Sequence, residues 1–233
     1  MFSILREKEK LNLEQEFPNS EDNHFIFQKK LKRPFSDGIK KIMLGMGCFW
    51  GVEKLFWNLK GVEMTAVGYS GGTVIDPTYN NVCLSDTGHN EVLLLHYNPT
   101  IISTDTILKK FWEGHNPTQG MRQGNDIGDQ YRSGIYTYGL DDHGLAFETK
   151  LVYQETLANA GYGKITTEIL EAKQFYYAER YHQQYLANFC VTTILFGQQF
   201  YGTTNSLMLP TTKFQLSTLV MQHLQMDYIR NEE

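Results

Sequence analysis

The stretch IKKIMLGMGCFWGVEKLFWNLKG, residues 39–61, decides how the chain is read. Its opening, 39–47, mixes Lys with Ile, Met and Leu and ends in glycines, which predicts a strand. Beyond it, Val52, Leu55, Phe56 and Leu59 fall at i, i+3, i+4 and i+7. That spacing predicts a helix with one apolar face, closed by Gly61. Cys48 stands where strand hands over to helix, so backbone N–H groups and the positive helix end are placed to hold a thiolate and lower its pKa. The glycines at 45, 47 and 51 allow a tight turn and leave the sulfur approachable. Local features leave two readings open, a reactive thiol and an inert small hydrophobe. Phe49 and Trp50 are unusual in a turn unless something apolar packs on them, and they suit the lining of a small pocket beside the sulfur.

Working outward, strands and helices alternate. VEMTAVGYSGG (62–72) reads as a strand entering a glycine turn, followed by a long polar loop over 73–90. EVLLLHYNP (91–99) is a strand stopped by Pro99, and a helix capped at Ser103 or Thr104 sets Ile107, Leu108, Phe111 and Trp112 on one face. A second polar loop, NPTQGMRQGNDIGDQ (116–130), leads into the strand YRSGIYTY (131–138). A helix over about 141–159, a strand at KITTEIL (164–170) and a helix over about 176–188 complete the series. Loops as long as these two inside a compact domain usually carry function or are disordered. The organisation expected is an N-terminal arm at 1–38, a catalytic domain at 39–188 and a C-terminal tail at 189–233.

The 233 residues, 41% hydrophobic, suffice for one sizeable core. A net charge of −5, with no basic cluster beyond KKLKR at 29–33, gives no nucleic-acid footprint. Three cysteines without metal-ligand spacing make neither a disulfide framework nor a zinc site, and they fit a reducing compartment. The first residues lack the apolar core of a secretory signal and are too acidic for a mitochondrial presequence. No segment approaches the ~20 apolar residues of a membrane span. A cytoplasmic protein that neither enters a membrane nor needs a metal or organic cofactor is expected, and a monomer.

Two loops supply groups for proton handling. GHNEV holds His89 and Glu91, and QGNDIGDQYRSG holds Asp126, Asp129, Tyr131 and Arg132. Taken singly, Glu91 reads as a solvated strand-end acid, Asp126 as a turn residue, and Tyr79 and Tyr131 as half-buried packing residues.

Taken together, GCFWGVE, GYSGG, DPTYNNVC, TGHNEV, FWEGHNPTQGMRQGNDIGDQYRSGIY, ITTEI and YYAERYHQQYL resemble, in order and spacing, the A-type peptide methionine sulfoxide reductases over about 40–188. The resemblance implies an α+β fold, a ferredoxin-like two-layer α/β plait with a mixed sheet and helices packed on it. It implies Cys48 as nucleophile, Phe49 and Trp50 as the pocket for the substrate methyl, and Glu91 as the acid that protonates the sulfoxide oxygen. Tyr79 and Tyr131 match tyrosines that hydrogen-bond that oxygen, and Asp126 an acid in a supporting role. The chemistry fits these assignments. A sulfoxide oxygen leaves poorly until protonated, so attack needs a nearby acid, and burial beside the Trp50 ring would keep Glu91 protonated. The products are methionine and a sulfenic acid on Cys48.

Turnover needs a second thiol and an external reductant, in this family usually thioredoxin. Here the chain departs from the family pattern. The resolving cysteine commonly follows an NP.GYCG segment in a glycine-rich tail, whereas YHQQYL continues as ANFCVTTILFG. Cys190 is the one thiol near the expected place, about four positions early and without flanking glycines. Cys83 matches a family position outside the catalytic set. After Ala187 the composition turns apolar and β-branched, with an amphipathic run at 213–229. Two rival functions follow. One is a cysteine hydrolase in which His89 activates Cys48 and Asp126 orients His89, which requires His89 to touch the sulfur. The other is a recycling-defective protein that binds methionine sulfoxide peptides.

Overall fold

Along residues 40–46 successive side chains turn to opposite faces of a sheet, and both faces are covered. Ile42, Leu44 and Met46 enter one hydrophobic cluster, and Met43 enters another. A strand so buried belongs at the middle of a sheet. The computed structural model, which describes residues 16–188, puts it there.

In chain order the elements are β1 (Lys40–Met46), α1 (Phe49–Trp57), β2 (Val62–Ser70), α2 (Tyr79–Leu84), β3 (Asn90–Tyr97) and α3 (Thr104–Glu113). There follow β4 (Arg122–Gln123), β5 (Asp126–Ile127), β6 (Ser133–Thr137), α4 (Leu140–Asn159), β7 (Glu168–Glu171) and β8 (Tyr176–Tyr177). The six-stranded sheet runs β7-β6-β1-β3-β2-β8, and β4 pairs with β5 apart from it. Its middle, β6-β1-β3-β2, is antiparallel throughout, with α1 between β1 and β2 and α3 between β3 and β6. This is the βαββαβ plait. Parallel β7 beside β6 makes the sheet mixed, and antiparallel β8 extends the β2 edge.

The two faces are covered differently. Val52 and Phe56 of α1 and Ile107, Leu108, Phe111 and Trp112 of α3 pack on Ile42, Leu44, Leu93 and Leu95, as the helical spacing predicts. The opposite face, with Met43, Met64, Val92 and Leu94, is covered by Leu31, Phe27 and Phe35 of the N-terminal arm and by Phe175 and Tyr177. Within the arm, Asn23 and Lys30 form a β-bridge. Lys29 and Arg33, from the basic run at 29–33, pair with Glu63 on β2.

Three expectations need correction. The polar loop after Ser70 contains α2, which has no apolar period. Thr78 caps it, and Asn81 closes a reciprocal capping box. Phe49 and Trp50 are not turn residues, since they open α1. The helix expected over 176–188 is absent over most of its length: β8 is followed by a 3-10 turn at Arg180–His182, and helical backbone begins only at 185. Gln184 sits in the left-handed region at φ 48°, which a helix does not admit. Cys190 and the tail at 189–233 lie outside the described residues.

Candidate active site

The thiol is positioned by a turn that side chains could not make. Gly47 has φ +85°, and a Cβ there would stand 2.7 Å from Cβ of Gln123 on β4. A Cβ on Gly45 would meet Nδ2 of Asn90 at 2.2 Å. The chain thus passes closely under the β4–β5 hairpin and against β3, and then releases Cys48 at the N-cap of α1. The backbone N–H groups of Trp50 and Gly51 lie near enough to draw the thiol pKa down, although the sulfur makes no capping hydrogen bond.

Those donors favour a thiolate, yet they do not prevail. Burial, the Glu91 carboxylate and the Asp126 carboxylate push the Cys48 thiol up to about 12. The lowered pKa expected from the helix start is therefore overturned, because the cysteine is desolvated and faces two acids.

Glu91, on β3, is buried and accepts the Phe49 N–H at 3.1 Å. Burial, with help from Asp126, pushes its carboxyl up to about 8 against the pull of that N–H. At neutral pH the protonated form is then the favoured one. Tyr79, at the start of α2, has its hydroxyl hydrogen-bonded to Cys83. Tyr131 ends a 3-10 turn at Asp129–Tyr131, and its hydroxyl feels Glu91, Cys83, Asp126 and Cys48. Burial holds both phenols above their ordinary pKa, so both keep their protons. Asp126 lies on β5, and its field reaches Cys48, Glu91 and Tyr131. Phe49 packs with Tyr69 and Val82, and Trp50 and Tyr79 border the same cluster.

His89 stands apart from this group. Its Nδ1 accepts the Gly72 N–H at 3.2 Å and its Nε2 donates to the Val74 carbonyl at 2.8 Å. Both nitrogens are taken, so the hydrolase reading has no base for Cys48. No group of three or more His, Cys, Asp or Glu among the described residues could hold a metal ion.

Residues from 179 onward complete the surroundings, and sequence reasoning gave them no role. The Trp50 indole N–H donates to His182 Nδ1 at 3.0 Å, and Tyr185 stacks on the indole at 4.0 Å. Glu179 accepts the Tyr69 hydroxyl at 3.0 Å and the Tyr79 backbone N–H at 2.8 Å. The available signal was polar residues crowded into AERYHQQ, which resembles a helix surface when read by composition.

The family model described as peptide methionine sulfoxide reductase matches residues 40–196. The chain belongs to the peptide methionine sulfoxide reductase family. Among curated relatives, the enzyme MsrA 2 of a Nostoc species is 58% identical over 165 residues, 71% of this chain and 74% of that one. MsrA 1 of a Synechocystis species is 57% identical over 166 residues, 71% and 75% of the two chains. Among solved structures, methionine sulfoxide reductase A of Corynebacterium diphtheriae superposes with a TM-score of 0.69 at 40% identity, covering 83% of this chain and 90% of that one. Reduced Mxr1 of Saccharomyces cerevisiae gives 0.62 at 34%, covering 67% and 88%. As a member of this family, the protein reduces methionine sulfoxide to methionine and so repairs oxidised methionine.

Proposed function

We propose that Cys48 attacks the sulfur of a methionine S-sulfoxide while Glu91 donates a proton to its oxygen. The observation that carries this reading is the contact between the two groups' elements: a carboxyl pushed up to about 8 by burial bonds the first N–H of the helix that Cys48 caps. Tyr79 and Tyr131 hold the oxygen through hydroxyls that stay protonated. Phe49 and Trp50 receive the methyl group, and Asp126 supports Glu91 by raising the cost of its ionised form. The oxygen passes from the methionine sulfur to the Cys48 sulfur. Methionine sulfur gains the electron pair that Cys48 gives up, and the thiol proton replaces the one Glu91 donated. The products are a thioether and a sulfenic acid.

Cys190 then displaces water from the sulfenic acid to give a disulfide, and thioredoxin, the usual reductant of this family, returns both thiols. Repair of oxidised protein in the reducing cytoplasm suits a chain whose first step requires Cys48 as a free thiol. A single turnover tests this reading: reduced protein receives an excess of methionine-S-sulfoxide peptide without reductant, and the remaining thiols are counted. Loss of two thiols with methionine formed is expected. Loss of one makes the resolver external, and no loss with no methionine refutes Cys48 as nucleophile.

A further inference from the structure

Four buried polar side chains between residues 179 and 184 are unused by the chemistry just proposed. Their hydrogen bonds reach α1, α2 and β2, and the His182 ring also packs against Tyr79 at 4.7 Å and Phe49 at 5.1 Å. Glu179 receives the Tyr79 backbone N–H on one oxygen and the Tyr69 hydroxyl on the other. His182 receives the Trp50 indole N–H. Gln183 acts as an extra strand edge, accepting the Val67 N–H at 3.0 Å and donating to the Val67 carbonyl at 2.8 Å. Gln184 donates its backbone N–H to Glu53 at 2.7 Å and its side-chain amide at 2.8 Å.

That last pair is a latch. Glu53 lies one turn beyond Trp50 on α1, is wholly buried, and takes a third donor from the Thr65 hydroxyl at 2.9 Å. His24 of the arm touches the same hydroxyl at 2.7 Å while its Nδ1 accepts the Ile26 and Phe27 N–H groups, so its Nε2 is the donor. The His182 ring is likewise defined. Burial takes its pKa down to about 4, so the ring is neutral, and with Nδ1 accepting from Trp50 the proton is on Nε2. That Nε2 has no hydrogen-bond partner among the described residues, and Glu179 stands 3.9 Å away. A buried N–H left unpaired costs stability, and the ring is nonetheless kept where it meets the indole. The left-handed backbone of Gln184 is a second local cost borne by the same segment.

We propose that residues 179–184 form a strap that positions the two sides of the substrate site through separate hydrogen bonds, His182 setting Trp50 for the methyl group and Glu179 setting Tyr79 for the oxygen. Neither residue touches substrate. The inference rests on the proposed roles of Trp50 and Tyr79, and it adds a split: His182 governs how tightly substrate is held, and Glu179 how fast its oxygen is released.

The test uses the full chain and single-turnover rates against methionine-S-sulfoxide peptide concentration. His182→Phe keeps ring volume but removes the acceptor of the indole. It raises the half-saturating concentration about five- to tenfold, leaves the limiting rate within about twofold, and shifts Trp emission. Glu179→Gln lowers the limiting rate about five- to tenfold and moves half-saturation by less than about threefold. In a Trp50→Phe background, His182→Phe adds nothing further. Should His182→Phe fail to fold, His182→Gln, whose amide sits off the indole axis, gives the same split at smaller size. Folded variants that change both parameters together, or neither, overturn the strap. Wild-type protein that forms no methionine and loses no Cys48 thiol overturns the underlying reading instead.

Discussion

The turn at 45–51 and the strap at 179–184 meet at the same aromatic cluster, and they are built in opposite ways. The turn works by leaving things out: glycines where a Cβ would collide, and an N-cap without a capping side-chain bond. Its chemistry comes from backbone N–H groups and from burial that keeps Glu91 and Cys48 protonated. The strap works by putting things in, four buried polar side chains that between them hold α1, α2 and β2. Reactivity thus resides where the chain is sparest and geometry where it is most heavily bonded. Mutations on the two sides should then separate activity from stability.

The largest effect belongs to the turn. Cys48→Ser abolishes methionine formation in a single turnover and leaves thermal unfolding within about 1 °C, because a hydroxyl replaces a thiol of similar size at an N-cap. A stability loss comparable with that of a strap mutation would break the comparison.

Next comes Glu91→Gln, expected to lower the first-turnover rate about 10²- to 10³-fold. The pH profile of the wild type sharpens it. Both protons, on Glu91 and on Cys48, are present in the reacting complex, so the rate is level at low pH. It falls about tenfold per unit once pH rises through the Glu91 value of about 8. Glu91→Gln has no such limb. A wild-type rate that climbs toward pH 8 would instead mean that the thiolate is the resting nucleophile.

The same contrast explains what was legible in the sequence. The strand-turn-helix at 39–61 could be read because apolar period and glycine positions are local signals, and the packing of Val52 and Phe56 on β1 and β3 follows from them. Cys48, Glu91, Tyr79, Tyr131 and Asp126 could be named from a resemblance and then found in one electrostatic neighbourhood. The state of Cys48 was not legible, because the helix start is local whereas Glu91 and Asp126 come to it through the sheet and the hairpin. The strap was misread as a helix because its polar side chains face inward, to partners more than a hundred residues away in the case of Gln183 and Gln184. Likewise, the cover that Leu31 and Phe27 of the arm give the second sheet face comes from tertiary contact and leaves no local period to read.

On the strap side, Glu53→Ala is expected to cost about 3 kcal/mol, since it leaves three buried donors from Gln184 and Thr65 without their acceptor. For a domain of this size that is a fall in melting temperature of about 6–12 °C, read by thermal unfolding. Methionine formation by the fraction still folded persists, unlike that of Cys48→Ser. Unfolding unchanged by Glu53→Ala would mean that the latch carries no load and that the comparison between the two regions fails.

The smallest expected effect lies where the two regions meet. Tyr79 has its backbone N–H held by Glu179 of the strap and its hydroxyl bonded to Cys83. In Cys83→Ser the hydroxyl still finds an acceptor, so the first turnover stays within about twofold of wild type. Cys83→Val removes the acceptor and slows that turnover a few-fold, with half-saturation unchanged, because the strap still places the backbone of Tyr79. Thiol counting in the same reactions decides what Cys83 is for. If Cys190 resolves the sulfenic acid, Cys83→Ser still loses two thiols and Cys190→Ser loses one. The reverse pattern would transfer the second step to Cys83, whose neighbour Val82 already shares a hydrophobic cluster with Phe49 beside the reacting sulfur. In that case the thiol that holds the Tyr79 hydroxyl would also be the one consumed, and each turnover would release the tyrosine that had helped to make it.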